Sequence, residues 1–548
     1  MNPITTADSI IENLIAQGVD TIFGIPGAQT YHLFDSLYRY RDKIKLVVAR
    51  HEQAAGYMAY GYARSTGKIG VFCVVPGPGV LNATAALCTA HNARVLCLTG
   101  QIPSQHIGIG HGMLHELSDQ LGILRKLSKW AERIATPNDV NWVMDTAFNK
   151  LREGRSAPVC VEVPLDILGQ PGLPQSDRLA TQPFTTPFTP ALIEQQITTA
   201  ANMLAESSRP LFMVGSGAID AAYEINQIAE RLQCPVVAFR GGRGIVSDDS
   251  PYGFTCAEGY DLFDECDLLV GIGTRLELPM FRWQQGKLDK PLIRIDIDPT
   301  QHSRQLADIA IEADAKQAAA ALLTALEPIT PNLGGAAPLR LIKAKRDTQA
   351  AIDKVQPQMD YLKIVRKALP DDAILVEEIS QMGFASWFGF PVYQPRQLIS
   401  CGYQGNLGHG LQTALGVKVA NPDKVVCSIV GDGGLMFGIQ ELATAAQFNI
   451  PVIVVLFNNN CFGNVRRDQQ TLFDNRVYAS ELKNPDFIKL AQGFGIETLR
   501  VGEGIDFEDA FSKALEASKK GPVFIEVPVE RGSEVSAWEF LQPAGYGK

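Results

Sequence analysis

The sequence predicts an α/β protein of three domains, each a doubly wound parallel sheet with helices on both faces. Three observations support this prediction. The chain has 548 residues, which is too long for one hydrophobic core. Short apolar, β-branched runs alternate with helical patterns, as crossover connections in parallel sheets require. Two polar, proline-rich stretches, at 170–190 and 327–338, divide these patterns into three groups, as interdomain linkers would.

The first group of predicted elements ends near residue 172. Periodicity predicts helices at 6–17, 29–40, 52–66 and from 79 onward, and strands at 21–24, 44–48, 71–75, 95–98 and 158–163. The strand at 71–75 is wholly apolar, as strands covered on both faces of a parallel sheet are. Residues 1–172 are therefore predicted to form the first domain.

The two later groups follow the same plan without repeating the sequence. Predicted strands of the second group are 211–215, 235–238, 267–271 and 293–296, and those of the third are 374–376, 425–430, 452–456 and 523–527. These groups predict a second domain at 190–330 and a third at 355–535.

Composition excludes several classes of protein. The net charge is −10 and no run of lysine or arginine exceeds two residues, so the basic surface that nucleic-acid binding requires is not expected. The longest apolar runs, such as 451–457, are too short to cross a membrane. Ten scattered cysteines without a CxxC pair indicate reduced core residues, and the N-terminus has no secretion signal. We therefore expect a cytoplasmic protein with neither a nucleic-acid nor a membrane partner.

Two strand ends in the third domain carry groups suited to a small cation and a phosphate. Asp432 follows the strand at 425–430 and is surrounded by glycines, while Asn459 follows the next strand. Glycines at the carboxyl ends of parallel strands let the backbone approach phosphate. Asp432, Asn459 and the Cys461 carbonyl could supply three oxygen ligands to Mg²⁺, which shares its octahedral shell with phosphates. The alternative is a pair of ordinary polar turns.

A second possible cofactor contact is a single carboxylate near the start of the chain. Glu52 begins a predicted helix in a small, uncharged stretch that continues through Ala54 and Ala55. The helix macrodipole alone favours an acidic side chain there, which is the alternative explanation. Together with the groups at Asp432 and Asn459, however, Glu52 predicts a cofactor with an anionic tail at one end and a proton-exchanging heterocycle at the other.

These features resemble the cofactor motifs of thiamine diphosphate (ThDP) enzymes. Gly431-Asp432-Gly433 followed by Asn458-Asn459 is similar to the diphosphate and Mg²⁺ motif of that family, and Arg50-His51-Glu52 to the glutamate that contacts N1′ of the aminopyrimidine ring. The resemblance extends over essentially the whole chain. It is closest to the large subunits of acetolactate synthase (acetohydroxyacid synthase), beside the 2-oxo-acid decarboxylases. Further matching segments are 23–27, 61–64, 77–79, 99–101, 295–299 and 440–444.

The resemblance implies a fold and a set of site residues. The three domains become a pyrimidine-binding (PYR) domain, a central Rossmann-like domain and a diphosphate-binding (PP) domain. Glu52 then promotes the imino tautomer that takes the thiazolium C2 proton, Leu407 supports the bent cofactor, and the Gly405 carbonyl accepts from the 4′-amino group. The implied metal ligands are Asp432, Asn459 and Cys461, and the other implied cofactor contacts are Pro26, Gly27, Pro78, Asn82, Gln381, Gly431, Gly433, Gly434, Phe462 and Gly463.

The resemblance also implies an oligomer. Glu52 would come from the first domain and Asp432 from the third, and in this family those two domains meet between subunits. We therefore expect a homodimer or a homotetramer, in which each cofactor is held by two copies of the chain.

The second predicted domain contains only part of a nucleotide-binding motif. Gly215-Ser216-Gly217 follows a predicted strand like half of a dinucleotide fingerprint, and such a half-motif is not specific. Relatives carry a non-redox FAD or an ADP-like nucleotide in this domain, but the segment 240–244 departs from the FAD type. FAD, an ADP-like nucleotide and no ligand at all are the three alternatives.

The substrate side departs from acetolactate synthases. Where those enzymes carry a small residue, a Phe-Gln pair, a lysine, an arginine and a tryptophan, this chain has Gln29, Leu114-His115, Leu165, Leu278-Pro279 and Asp468. Replacing a lysine and a carboxylate-binding arginine by apolar residues removes the partners of an anionic acceptor. The chain is therefore predicted not to be the biosynthetic acetolactate synthase.

Histidines near residue 115 are candidates for proton transfer. His111 and His115 occupy the stretch where related 2-oxo-acid decarboxylases place such groups, and an imidazole suits the protonation of a carbanion. Besides Glu52, the predicted catalytic residues are His115, Gln29 and Gln101. The alternative for His115 is an ordinary position in a surface loop.

The predicted function is that of a ThDP- and Mg²⁺-dependent C–C lyase or carboligase acting on a 2-oxo acid or a 2-hydroxy ketone. CO₂ or an aldehyde departs, and the remaining carbanion is protonated or transferred to an acceptor. Transfer, as in acetolactate formation, competes with simple 2-oxo-acid decarboxylation and with acyloin or 2-hydroxyacyl lyase chemistry. The alternative from another class is a non-catalytic binding protein with this fold.

Overall fold

Three parallel sheets of six strands each follow one another along the chain. The computed structural model describes residues 4–173, 190–283, 288–332, 337–502 and 504–543. Every pair of neighbouring strands within these sheets is parallel, with helices in the connections. The predicted α/β fold class is confirmed, whereas the exact domain boundaries stay a prediction.

The first sheet has the strand order β2-β1-β3-β4-β6-β5. Its strands are β1 (Thr21–Gly24), β2 (Lys45–Val48), β3 (Gly70–Val74), β4 (Val95–Gln101), β5 (Trp130–Arg133) and β6 (Val159–Pro164). Its helices are α1 (Thr6–Ala16), α2 (Tyr31–Arg39), α3 (Glu52–Thr66), α4 (Pro78–Asn82), α5 (Thr84–Thr89), α6 (Gln120–Leu127), α7 (Val140–Arg152) and α8 (Leu165–Leu168).

The second sheet has the order β12-β11-β10-β7-β8-β9. Its strands are β7 (Pro210–Val214), β8 (Val236–Ala238), β9 (Gly253–Phe254), β10 (Leu268–Ile272), β11 (Leu292–Asp296) and β12 (Ile309–Glu312). Its helices are α9 (Pro190–Glu206), α10 (Ala222–Leu232), α11 (Gly259–Glu265), α12 (Pro299–Arg304) and α13 (Ala315–Leu326), and α14 (Ala337–Ile352) leads to the third sheet.

The third sheet has the order β14-β13-β15-β16-β18-β17. Its strands are β13 (Ile374–Glu377), β14 (Leu398–Ile399), β15 (Val426–Gly431), β16 (Ile453–Asn458), β17 (Glu497–Arg500) and β18 (Val523–Pro528). Its helices are α15 (Gln358–Ala368), α16 (Gln381–Gly389), α17 (Gly410–Ala420), α18 (Asp432–Leu435), α19 (Leu442–Gln447), α20 (Gly463–Leu472), α21 (Phe487–Gly493), α22 (Phe507–Ala517) and α23 (Trp538–Leu541).

Helices α3 and α17 join the first and third domains of one chain. A Cβ atom on Gly61 would lie 2.3 Å from the Thr413 carbonyl oxygen, and one on Gly416 would lie 1.9 Å from that of Met58. Only glycine fits at these two positions, so the helix backbones approach closely. One continuous hydrophobic core includes residues of both domains, among them Met58 and Leu415. The middle of α3 is thereby held against α17.

Two properties of the described ranges bear on the predicted class of protein. No helix within them has the length and apolarity that a membrane span requires. All ten cysteines are free thiols, and only Cys88 is not fully buried.

Candidate active site

The carboxyl ends of β15 and β16 bring the predicted metal ligands to one edge of the third sheet. Gly431 of β15 pairs with Phe457 of β16, so the residues that follow each strand lie side by side. Asp432 begins α18 and is 2% exposed, while Asn459 is 9% exposed. The backbone N–H of Cys461 donates to Asn459 Oδ1 over 3.1 Å. The three predicted ligands therefore share one buried turn region.

Two further side chains complete this polar cluster. Asn484 Nδ2 donates to Asp432 Oδ2 over 2.7 Å, and Asn459 Nδ2 donates to Glu534 Oε2 over 2.7 Å. Neither Asn484 nor Glu534 was predicted from the sequence, because they come from loops with no strand-end or motif signal.

The electrostatics of the cluster suit a divalent cation. Burial raises the pKa of Asp432. Burial also raises the pKa of Glu534, and the charge of Asp432 adds to that effect. A cation bound nearby would stabilise the anionic forms of these two carboxyls. A carboxylate, an amide oxygen and a backbone carbonyl are the oxygen donors that Mg²⁺ prefers, so the residues present fit this ion.

Small residues and one ring enclose the predicted diphosphate position. A Cβ atom on Gly433 would lie 2.6 Å from the Phe462 ring, and one on Gly463 would lie 3.0 Å from Asn459 Nδ2. Gln381, the first residue of α16, is 8% exposed and its Oε1 has no hydrogen-bond partner. An unsatisfied buried amide beside a cation site is the kind of group that a bound ligand or water satisfies.

A buried glutamate holds the loop that carries Gly405 and Leu407. Glu378 Oε1 accepts from the N–H of Gly408 over 2.9 Å, and Oε2 accepts from the N–H of Gly410 over 3.0 Å. Burial raises the pKa of Glu378 to about 8. Leu407 itself is half-buried. Glu378 was not predicted, although two adjacent acids at the end of an apolar strand are a signal that the sequence offers.

Glu52 lies at the predicted pyrimidine end. It is the first residue of α3, and the His51 side chain caps that helix by accepting from the N–H of Gln53. Asn82 Nδ2 donates to Glu52 Oε2 over 3.0 Å. Two residues that were predicted to contact the cofactor are thus hydrogen-bonded to each other. A Cβ atom on Gly79 would lie 3.6 Å from Glu52 Oε1, so the turn that contains Pro78 adjoins the same carboxyl.

The third domain fixes the start of α3 through Glu441. The N–H of Arg50 donates to both carboxyl oxygens of Glu441, over 3.0 and 3.2 Å, and Thr444 Oγ1 donates to Oε2 over 2.7 Å. Burial raises the pKa of Glu441 to about 7. The matched segment 440–444 thus contains a residue that orients the backbone directly before Glu52, a role that was not predicted.

The structure brings Gln29 and His115 together beside the same turn. His115 Nδ1 lies 2.9 Å from Gln29 Oε1, and Gln29 Nε2 donates to the Leu114 carbonyl over 2.9 Å. A Cβ atom on Gly77 would lie 2.5 Å from the His115 carbonyl oxygen, which places His115 against the Gly77-Pro78 turn. His111 is exposed and contacts His106 instead, with their Nδ1 atoms 3.2 Å apart.

The other predicted residues of the first domain lie around this turn or behind it. Gly27 packs against Val75, whose side chain also contacts Gly79, and Pro26 next to it is exposed. Gln101 is 1% exposed and its amide contacts Glu162 and the N–H of Ile102. Gln101 therefore lies in the buried network behind the turn, and the structure does not bring it to the exposed face with His115.

The positions that depart from acetolactate synthases offer few charges to a substrate. Leu278 is 4% exposed and packs in a hydrophobic core, and Leu165 begins α8. Asp468 lies on α20, and its Oδ1 is 3.3 Å from Nη2 of Arg467. The carboxylate of Asp468 is thus paired within its own helix.

A cavity of about 250 Å³ lies where the second domain meets the other two. Its lining includes the glycine turn at 215–217, Asp296, and the guanidinium groups of Arg155, Arg240 and Arg275. The glycines after the strand would let the backbone approach a phosphate, and the guanidinium groups would balance its charge. These features suit a phosphate-bearing nucleotide.

Comparison with known proteins matches most of the chain. Residues 4–123 match the description "Thiamine pyrophosphate enzyme, N-terminal TPP binding domain", residues 197–322 its central domain, and residues 378–527 its C-terminal TPP binding domain. A probable 2-ketoarginine decarboxylase, AruI, of Pseudomonas aeruginosa is 32% identical over 503 residues, which is 90% of this chain and 88% of that protein.

Acetolactate synthases match at similar identity. The isozyme 3 large subunit of Escherichia coli is 31% identical over 568 residues, with 97% of this chain and 96% of that protein covered. The large subunit of Pyropia yezoensis is 30% identical over 558 residues, with 96% and 92% covered. Both decarboxylation and carboligation are therefore named among the relatives.

Proposed function

The chain belongs to the thiamine pyrophosphate enzymes, in the acetolactate synthase and decarboxylase group, and from that premise we propose that it decarboxylates a 2-oxo acid and completes the reaction by protonating the substrate carbon. The observation that carries this proposal is the His115–Gln29 pair beside the Gly77-Pro78 turn, next to Glu52 and Asn82. Transfer to an acceptor is the competing outcome.

The cofactors are thiamine diphosphate and a divalent metal, usually Mg²⁺. In the proposed site Asp432, Asn459 and the Cys461 carbonyl hold the metal, and Gln381 contacts the diphosphate. When bound, the thiazolium supplies the electron sink that lets the bond to the departing carboxylate break. The protein contributes orientation, exclusion of water and proton transfer.

Glu52 is proposed to exchange a proton at the pyrimidine ring. Its Oε2 is held by Asn82, which leaves Oε1 beside Gly79 for a ring nitrogen. Glu441 and the His51 cap fix the backbone on the N-terminal side, so the carboxyl is oriented before the cofactor binds. Such preorganisation removes the cost of ordering the group during the reaction.

His115 is proposed to donate the proton that completes the reaction. In the proposed arrangement Gln29 Oε1 accepts from Nδ1–H of the imidazole, which leaves Nε2 to carry the proton that is donated. The amide of Gln29 is itself held by the Leu114 carbonyl, so the imidazole has a defined orientation. A positioned imidazole contributes about 10²–10⁴-fold to such a step.

The acceptor side favours protonation over transfer of the carbanion. The positions of the lysine and the acceptor-binding arginine hold Leu165 and the buried Leu278. Neither side chain can bind a second carboxylate. Carboligation and acyloin or 2-hydroxyacyl lyase chemistry are retained as measurable alternatives. A non-catalytic binding protein with this fold would form no product at all.

The second domain is proposed to hold FAD or an ADP-like nucleotide in the cavity near 215–217. The arginines of its lining support this proposal. Denatured protein should release a yellow, flavin-absorbing compound if FAD is bound and only an adenine absorbance if the nucleotide is ADP-like. Release of neither would contradict the proposal.

A product assay tests the proposed function. We expect purified protein with ThDP and Mg²⁺ to release CO₂ and the matching aldehyde from at least one member of a 2-oxo-acid panel. Acetolactate from pyruvate would show carboligation instead, and no product from 2-oxo acids or acyloins would contradict both.

The assay is paired with two variants. Glu52→Gln should retain ThDP binding and lose about 10²–10⁴-fold in kcat. The control Glu508→Gln, which also removes a carboxyl from the first turn of a helix, should match the wild type. Asp432→Ala should abolish the rise in Tm that ThDP and Mg²⁺ produce, whereas Asp474→Ala at an exposed site should retain it.

A further inference from the structure

Three side chains of types that bind metals meet beside the Leu407 loop, and none of them is a predicted Mg²⁺ ligand. One ligand atom each from Glu377, Cys401 and His409 lies within 4.8 Å of the other two. Glu377 ends β13, Cys401 follows β14, and His409 directly precedes α17. Because β13 and β14 are paired neighbours, their ends lie at the same edge of the sheet.

Most polar atoms of this cluster lack hydrogen-bond partners, and Cys401 Sγ has only a long contact of 3.9 Å to the Gly402 carbonyl. Glu377 and His409 are 0% exposed and Cys401 is 1% exposed. Both carboxyl oxygens of Glu377 and both ring nitrogens of His409 are unsatisfied, as is Nε1 of the neighbouring Trp387. Ser400 and Trp387 lie beside Glu377 and lower its pKa, but neither completes a hydrogen bond of good geometry. Buried polar groups are almost always satisfied, so the unpaired atoms of Glu377 and His409 are positions where a ligand would be stabilised.

Burial leaves the imidazole of His409 ready to bind a metal, whereas Glu377 and Cys401 each have to lose a proton to do so. Burial raises the pKa of Glu377 to about 7 and that of Cys401 above its usual range, and it lowers the pKa of His409 to about 3. The imidazole is therefore neutral, which is its metal-binding form. A divalent ion that displaces one proton from Glu377 and one from Cys401 leaves the cluster neutral, so it adds no net charge to the core.

We infer that Glu377, Cys401 and His409 bind a structural zinc ion. Thiolate, imidazole and carboxylate are its ligands in proteins, whereas Mg²⁺ avoids sulfur. Bond lengths of about 2.0–2.3 Å place ligand atoms about 3.4–3.6 Å apart around a tetrahedral ion, so these side chains need to contract by roughly 1 Å. Three protein ligands would leave the fourth position of the ion to a water molecule, and the indole of Trp387 lies beside the Glu377 carboxyl.

The zinc ion would fasten the cofactor-supporting loop to the sheet. His409 is two residues from Leu407, and the N–H groups on either side of it are already held by Glu378. A metal bond at His409 adds a second attachment to strands β13 and β14. This role differs from that of the Mg²⁺ site, because it fixes the protein and does not touch the diphosphate.

Metal analysis of the full-length protein tests this inference without measuring catalysis. Protein purified without added transition metal and dialysed against a weak chelator should contain about one zinc per chain by mass spectrometry. His409→Phe and Cys401→Ala should each reduce this content by about tenfold or more. The control Cys427→Ala, which removes another buried thiol of the same domain, should leave the zinc content unchanged.

A second measurement does not depend on whether the variants fold. Wild-type protein produced with cobalt in place of zinc should show the thiolate-to-cobalt charge-transfer band of a cysteine ligand. Wild-type protein without stoichiometric zinc and without this cobalt band would overturn the inference. Full zinc content in both folded variants would also overturn it, because the metal would then lie elsewhere.

Discussion

At the scale of single residues, Gln29 and His115 are held in an unusual backbone conformation. Their φ angles are +65° and +69°, in the left-handed region that few side chains adopt. A strained backbone conformation persists only where surrounding contacts hold it in place, and such conformations are enriched at functional sites. Here the mutual contact of the two side chains and the packing of Gly77 on His115 supply those contacts.

The first prediction concerns His115. His115→Ala should lower kcat for decarboxylation by about 10²-fold or more while ThDP affinity stays unchanged, because the proton donor is lost and the cofactor contacts remain. Steady-state kinetics and calorimetric ThDP titration measure the two quantities. His106→Ala, which changes a half-buried histidine of the same loop, serves as the control. Wild-type turnover in the His115 variant would contradict the proposed role.

At the scale of elements, the helix that carries Glu52 begins where two capping contacts converge. The His51 side chain caps the N-terminus of α3, and the carboxyl of Glu441 in the third domain accepts a hydrogen bond from the N–H of Arg50. The contact crosses from one domain to another, so the position of Glu52 depends on how the domains pack. Removing Glu441 should therefore affect stability as well as orientation.

The second prediction is a pH dependence of stability. Burial raises the pKa of Glu441 to about 7 from a usual value of 4.5, so the folded state binds its proton more tightly than the unfolded state does. The stabilisation from Glu441 is therefore present below pH 4.5 and is lost as the pH rises through about 7, by about 3 kcal/mol in all.

Glu441→Gln tests this dependence, since it removes the titration and retains an acceptor for Arg50. We expect the fall in Tm between about pH 5 and about pH 8 to become smaller in this variant. The exposed Glu508→Gln should leave the fall unchanged. An identical fall in the Glu441 variant would show that this carboxyl does not contribute.

The elements also show how far sequence patterns reach. The central strands and the helices around Glu52 were predicted, because apolar runs and helical periodicity are local signals. Five strands were missed, and each lies at the edge of its sheet: β5, β9, β12, β14 and β17. These strands have only two to four residues, and β5 (Trp-Ala-Glu-Arg) also contains two charged side chains, so none of them offers a long apolar run. Pairing with a neighbour, rather than composition, makes each of them a strand.

At the scale of the whole molecule, the two halves of the proposed cofactor site carry exposed apolar side chains. Leu81 adjoins Asn82 at the pyrimidine half and is 44% exposed. Met436 and Phe437 follow α18 at the diphosphate half and are 45% and 54% exposed. Apolar groups beside a functional cleft are typical of an interface. They support the prediction that a second copy of the chain completes each site.

The third prediction follows from that arrangement. Leu81→Glu and Met436→Glu should each weaken the homodimer by about tenfold or more, because a charge would be buried at the interface. ThDP affinity should fall in parallel, since one cofactor would contact both copies. Analytical ultracentrifugation and calorimetry measure the two effects. Leu306→Glu is the control, as that leucine is 83% exposed. A wild-type monomer with full ThDP affinity would contradict the prediction.

The sequence by itself determined the three α/β units and which residue types stand at the strand ends, because periodicity and strand-end motifs are local in the chain. Only the tertiary structure decided which distant groups meet them. Glu534 beside Asn459, Glu441 beside Arg50, and Glu377 with Cys401 and His409 are contacts across loops or domains. Such contacts depend on how helices and sheets pack, and no short segment encodes them.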